Sequence, residues 1–170
     1  YDTCAAAKAA GHTATEMMEA GFGLEGMQEG GVTCKEARDA GALSTCAQAH
    51  AAGYVKGIKE AGFSARDAEE CGYSASEMRE GGYTVEEVKH GGITAANAHA
   101  GGYAIKPTFS AEEAVASGMT AAQLKAASYS CEEAKTGGIT AADAHAVGYA
   151  IKPTFSVQEA KTGGIALREI

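Results

Sequence analysis

Apolar positions recur at close to ten-residue intervals along this chain, and each is followed by the same polar grammar. The clearest run is Phe63-Ser64-Ala65-Arg66-Asp67-Ala68, then Tyr73-Ser74-Ala75-Ser76-Glu77-Met78, then Tyr83-Thr84-Val85-Glu86-Glu87-Val88. One apolar residue precedes Ser or Thr, an acid stands three places later, an apolar residue comes next, and Gly closes the repeat. Aligned on the position before Ser/Thr, repeats open at Asp2, His12, Phe22, Val32, Leu43, Tyr54, Phe63, Tyr73, Tyr83, Ile93, Phe109, Met119, Tyr129, Ile139, Phe155 and Ile165.

This grammar specifies a helix with both of its caps. Ser or Thr with Glu or Gln three places on is the capping box, which satisfies two backbone N–H groups reciprocally. The predicted N-caps are Thr3, Thr13, Thr33, Ser44, Ser64, Ser74, Thr84, Thr94, Ser110, Thr120, Ser130, Thr140 and Ser156. Glu16, Glu36, Glu77, Glu87, Glu113, Gln123, Glu133 and Glu159 complete boxes, whereas Asp67 and Asp143 are expected only to approximate them. Gly-Gly or Ala-Gly supplies the left-handed stop. The prediction is an all-α chain of about sixteen helices, each of about seven or eight residues and roughly 11 Å long. Helices this short are marginal alone, so they must stack, as helical hairpins in an α-solenoid. The Gly-Tyr-Thr punctuation also fits a β-solenoid, but Ala-rich segments with acids after the cap form poor strands.

A longer period lies above the first. Gly91–Ala100 returns as Gly137–Ala146 with one change, Asn97 to Asp143, and both are followed by Gly-Tyr-Ala-Ile-Lys-Pro-Thr-Phe-Ser. The chain therefore divides into less regular repeats (1–62), a four-helix block with connector (63–108), its duplicate (109–154) and a partial repeat (155–170), as one continuous solenoid. Pro107 and Pro153 disfavour helix at Lys106 and Lys152, so 103–108 and 149–154 are expected to be extended connectors. With four helices per block, an even number, equivalent residues of the two blocks are expected on one side.

Composition explains how such a chain can be thin. Leu, Ile, Val and Phe together make only 22 of 170 residues, while Ala and Gly are abundant. Ala favours helix, and facing small residues let helices approach closely. The net charge of −8, without a Lys/Arg stripe, argues against nucleic acid and anionic membranes. No stretch is long and apolar enough to span a bilayer, and none reads as a signal or transit peptide.

Candidate chemistry is sparse. Cys4, Cys34, Cys46, Cys71 and Cys131 show no CxxC spacing and read as small core residues, favouring a reducing compartment. His99 and His145 are equivalent under the long period. They are candidate contacts to a metal or a magnesium-centred pigment, or else mid-helix residues copied with their block; no HExxH spacing supports a metal site. Glu69/Glu70, Glu86/Glu87, Glu112/Glu113 and Glu132/Glu133 sit where caps and helix dipoles explain them, so no catalytic residue is assigned. The connectors break the monotony and are duplicated unchanged, which makes Tyr103, Ile105, Lys106, Pro107, Tyr149, Ile151, Lys152 and Pro153 the partner-binding candidates.

The unit Gly72-Tyr73-Ser74-Ala75-Ser76-Glu77-Met78-Arg79-Glu80-Gly81 resembles the short GFSAxELKxAG helical repeats found in proteins of algae, other protists and some bacteria. The resemblance covers nearly the whole chain and implies an α-helical array; it carries over no functional residue. Together these readings point to a non-catalytic scaffold or linker subunit bound along a larger protein assembly, with other protein subunits as partners and no cofactor. A second reading is a peripheral stabilising subunit of an algal photosynthetic light-harvesting supercomplex, with His99 or His145 touching pigment. A third is a secreted or surface protein for adhesion or ice binding. Intracellular or organellar residence, the plastid included, is favoured over secretion.

Overall fold

The computed structural model describes residues 2–166 and 168. Among them are fourteen helices and no strand. The chain forms two compact units that meet in sequence at Ile93/Thr94, inside the first 46-residue block and not at either of its edges. The first unit holds α1 (Cys4–Ala9), α2 (Ala14–Glu19), α3 (Leu24–Glu29), α4 (Cys34–Asp39), α5 (Cys46–Ala51), α6 (Ala65–Glu70), α7 (Ala75–Glu80) and α8 (Val85–Gly91). The second holds α9 (Ala95–Ala100), α10 (Ala111–Ala116), α11 (Ala121–Ala126), α12 (Cys131–Thr136), α13 (Ala141–Ala146) and α14 (Val157–Thr162).

The capping grammar reads through directly. Every helix except α3 has a Ser or Thr whose hydroxyl accepts from the N–H three residues on; α3 opens at Gly23. Two expectations need correcting. The cap of α5 is Thr45 and not Ser44, because the extra residue at Leu43 shifts the frame; both backbone N–H groups donate to Gln48 Oε1, at 2.9 and 3.1 Å. Asp67 closes a full box with Ser64, whereas at α13 the Asp143 N–H donates to the Thr140 hydroxyl and that hydroxyl donates to the Asp143 carboxylate, without the return bond from the Thr140 N–H.

The helices are shorter than expected, six residues each and seven in α8. The stop explains this. At the end of α6, Gly72 N–H donates to Glu69 O and Tyr73 N–H to Ala68 O, both at 3.0 Å. These are the paired bonds of the Schellman motif, which use the last turn to terminate the helix. Tyr73 thus closes α6 with its backbone and then precedes the cap of α7.

Fewer helices form than repeats. The Tyr54 repeat has no Ser/Thr cap and carries Gly57 at φ +77°, and it folds as successive turns. The repeat expected to open at Ile165 runs into Leu167, Glu169 and Ile170, which lie outside the described residues.

The fourth helical residue is buried in every helix, and in many repeats the residue before the cap and the first helical residue are buried with it. In α7 these are Tyr73, Ala75 and Met78, at 3, 8 and 0% exposure; in α11 they are Met119, Ala121 and Leu124, at 3, 5 and 0%. A core of three narrow positions in ten explains why so few bulky residues suffice.

Neighbours touch, as α1 with α2 and α3 with α4, but the closer association joins repeats two apart: α1 with α3, α6 with α8, α10 with α12. Tyrosine hydroxyls mark the same register. Tyr73 donates to Tyr54 O (2.6 Å), Tyr83 to Phe63 O (2.7 Å), Tyr129 to Phe109 O (2.7 Å) and Tyr149 to Tyr129 O (2.9 Å). Odd and even repeats therefore form two interleaved series within each unit.

Candidate interaction surface

The connectors are turns, not extended segments. Pro107 bars helix at Lys106, as expected, but burying Ile105 requires the chain to fold back over it. Phe109 N–H donates to Ile105 O at 2.9 Å, and Phe155 N–H to Ile151 O at 2.8 Å. The Lys106–Pro107 and Lys152–Pro153 peptide bonds are cis.

Each connector takes the place of a repeat. Ile105 is 1% exposed and Ile151 4%, matching the fourth helical residue elsewhere, and Tyr103 at 8% matches the position before a cap. The hydroxyl of Tyr149 completes the two-repeat ladder to Tyr129, as a helical repeat would. In the second unit, the step from the Tyr103 segment to the Tyr149 segment is thus five repeats, an odd number. The two connectors belong to opposite series, and so do His99 and His145. The expectation that equivalent block residues share one side fails because it left the connector uncounted.

The candidate residues consequently separate. Tyr103, Ile105 and Ile151 are core, and Tyr149 is half-buried. Pro107, Lys152 and Pro153 are exposed. Lys106 is half-buried and engaged: its ammonium donates to Glu133 Oε2 at 2.7 Å and to Ser128 O at 3.3 Å, and lies 5.5 Å from the Tyr129 ring centre. His99 is half-buried on α9 and His145 exposed on α13.

A feature not anticipated from the sequence recurs around such lysines. A Lys following the buried fourth position reaches the capping-box acid three repeats on. Lys8 pairs with Glu36 (3.0 Å), Lys59 with Glu87 (2.8 Å), Lys106 with Glu133 (2.7 Å) and Lys135 with Glu159 (2.9 Å). The signal was present as Ala-Lys or Ile-Lys followed 24 to 28 residues later by the box acid, but it is legible only once the stacking register is known.

Each box carboxylate so paired accepts from Lys and from its own cap. The Lys106 ammonium and the Ser130 N–H hold Glu133 down at about 2, and Lys135 with Ser156 does the same for Glu159. Lys59 and Thr84 likewise lower Glu87. Burial raises Tyr129, whose ring forms the floor beside Lys106.

Beside three of these pairs lies an open groove of the same construction. In the first unit it is framed by Lys59, Glu87, Phe63 and Ala65, with a volume of about 430 Å³. In the second unit one groove is framed by Lys106, Glu133, Phe109 and Ala111 (about 670 Å³). Another is framed by Lys135, Glu159, Ile139 and Phe155 (about 740 Å³). Each offers an apolar floor, a helix start and a fixed ion pair. Among the described residues no group of three or more His, Cys, Asp or Glu is placed to hold a metal ion, and no helix is long and apolar enough to cross a membrane.

Residues 53–107 match the family model described as Decapeptide repeat region. Over that stretch, about a third of the chain, the protein is similar to decapeptide repeat proteins. The matched stretch includes the regular repeats α6 to α9 and the first connector, up to Pro107. No curated protein and no solved structure matches the chain.

Proposed function

We propose that this protein is a non-catalytic scaffold subunit that lies along a larger protein assembly and engages it through the recurring groove. The observation that carries this reading is the groove's repetition, with the same ion pair and apolar floor each time. A repeated site suits a partner contacted at several points, where linked weak contacts multiply into useful avidity. The box acids support it too. In the pairs Glu86/Glu87 and Glu132/Glu133, Glu87 and Glu133 are each engaged by a cap and a lysine. Glu132 faces solvent beside Glu133, at the rim of the groove.

The test is affinity purification of the tagged full chain from its native source, with chemical cross-linking and mass spectrometry. The expected result is a stoichiometric protein partner cross-linked near the grooves. Reversing the exposed groove acids by Glu112→Lys with Glu132→Lys should reduce partner recovery at least tenfold while the far-UV circular dichroism spectrum is unchanged. Recovery of the chain alone would refute the scaffold reading, and undiminished recovery of the partner with the variant would refute the groove as its contact.

A further inference from the structure

Four of the five free cysteines, Cys4, Cys34, Cys46 and Cys131, are first residues of helices, whereas Cys71 alone caps the end of one. Those two positions are the ones that stacking presses together. The residue capping the end of a repeat lies on the first helical residues of the repeat two places earlier. A Cβ built on Gly30 would stand 2.9 Å from Cys4 Cβ, and one on Gly91 would stand 3.1 Å from Ala65 Cβ. Two places before the repeat that ends at Cys71 is the Leu43 repeat, whose first helical residue is Cys46. Gly72, the residue after Cys71, lies over α5 in the same way: a Cβ built on it would stand 3.7 Å from His50 Cε1.

A disulfide requires Cβ atoms about 3.5–4.5 Å apart, a range reached when real side chains ease this tight approach by less than about 1 Å. No other cysteine meets a thiol by this rule. Cys4 faces Gly30, the same count places Ala61 opposite Cys34, and Cys131 is the one cysteine of the second unit.

We propose that Cys46 and Cys71 form a redox-closed pair, which hydrogen peroxide converts to an intrachain disulfide clasping α5 to α6. Cys71 is half-buried and meets the oxidant; Cys46, buried, resolves it. The Cys71 sulfur attacks one peroxide oxygen and the O–O bond breaks, leaving a sulfenic acid and one water that carries off the thiol proton. The Cys46 sulfur then attacks the Cys71 sulfur. The S–S bond forms, the S–O bond breaks, and hydroxide leaves with the Cys46 proton as a second water. Two thiols and one peroxide thus give one disulfide and two waters. Burial raises the Cys46 thiol, so its resolving attack quickens as pH rises.

The full folded chain is treated with hydrogen peroxide, alkylated and digested with trypsin, with and without dimedone to trap sulfenic acid. The expected product joins peptide 39–56 to peptide 67–79, while Cys131, also half-buried, is trapped as its sulfenic acid. In Cys46→Ser, Cys71 should be trapped by dimedone instead. Oxidation of Cys131 with Cys46 and Cys71 still fully alkylated would overturn the proposal. So would pairing of either with Cys4, Cys34 or a second chain in place of each other. The wild-type peptide map decides alone if a variant fails to fold.

Discussion

The Gly-Gly stops contain two glycines with different duties, and substituting the first of a pair separates them. Gly137 caps α12 at φ −68°, a conformation open to any residue, so its backbone does not require glycine. Space does. A Cβ there would lie 2.8 Å from Ala111 O, 2.9 Å from Ala111 C and 3.2 Å from Val115 Cγ2. Two of these atoms are backbone of α10 and cannot rotate aside, so α12 must lift from the helix two repeats before it. Overpacking of this kind costs about 1–3 kcal/mol. Reduced freedom of the unfolded chain returns about 0.4–1 kcal/mol for Gly→Ala at a compatible position. Gly137→Ala should therefore destabilise by about 1–2 kcal/mol on combining the two effects. Gly26 is the control. It lies inside α3 with nothing within 4 Å of its would-be Cβ, so Gly26→Ala should stabilise by about 0.5–1 kcal/mol. Urea unfolding followed by far-UV circular dichroism reads both. If Gly137→Ala proves as stable as the wild type while Gly26→Ala shifts as expected, close packing of repeats two apart is not what that glycine serves.

Two further outcomes test the ladders. Tyr129→Phe removes a 2.7 Å bond to the buried Phe109 carbonyl and should cost about 0.5–1.5 kcal/mol; Tyr54→Phe should be near neutral, since the Tyr54 hydroxyl is buried with no partner among the described residues. Urea midpoints compare them, and equal losses would refute the ladder. For Glu133, the folded carboxyl sits near 2, below its ordinary 4.5, so its contribution is complete above 4.5 and is lost as pH falls through about 2. Lys106→Met removes the leading cause of that depression and should flatten the fall of the thermal midpoint over this pH interval; an unchanged slope would refute the pairing.

Much of this protein was legible before any coordinates. Caps and stops are interactions between residues three to six apart, so Ser74, Glu77 and Gly82 announce α7 without reference to the rest of the chain. The failures lie where a local signal was weak or a distant partner decided. Thr45 displaced Ser44 because the two are equally good caps and the register of Gln48 chose between them. The connectors lack helical chemistry, so the sequence reading left them out of the count, yet burial of Ile105 and Ile151 gives each a repeat's place in the stack. Lysine pairs such as Lys106 with Glu133, and the meeting of Cys46 with Cys71, join residues more than twenty positions apart. The sequence by itself determined helix type, length scale and period, because those rest on backbone hydrogen bonds closed within one repeat. The tertiary structure alone decided which repeat packs on which, and hence which side chains meet. That choice depends on how closely backbones can approach over Gly and Ala, a property of the stack and not of any single repeat.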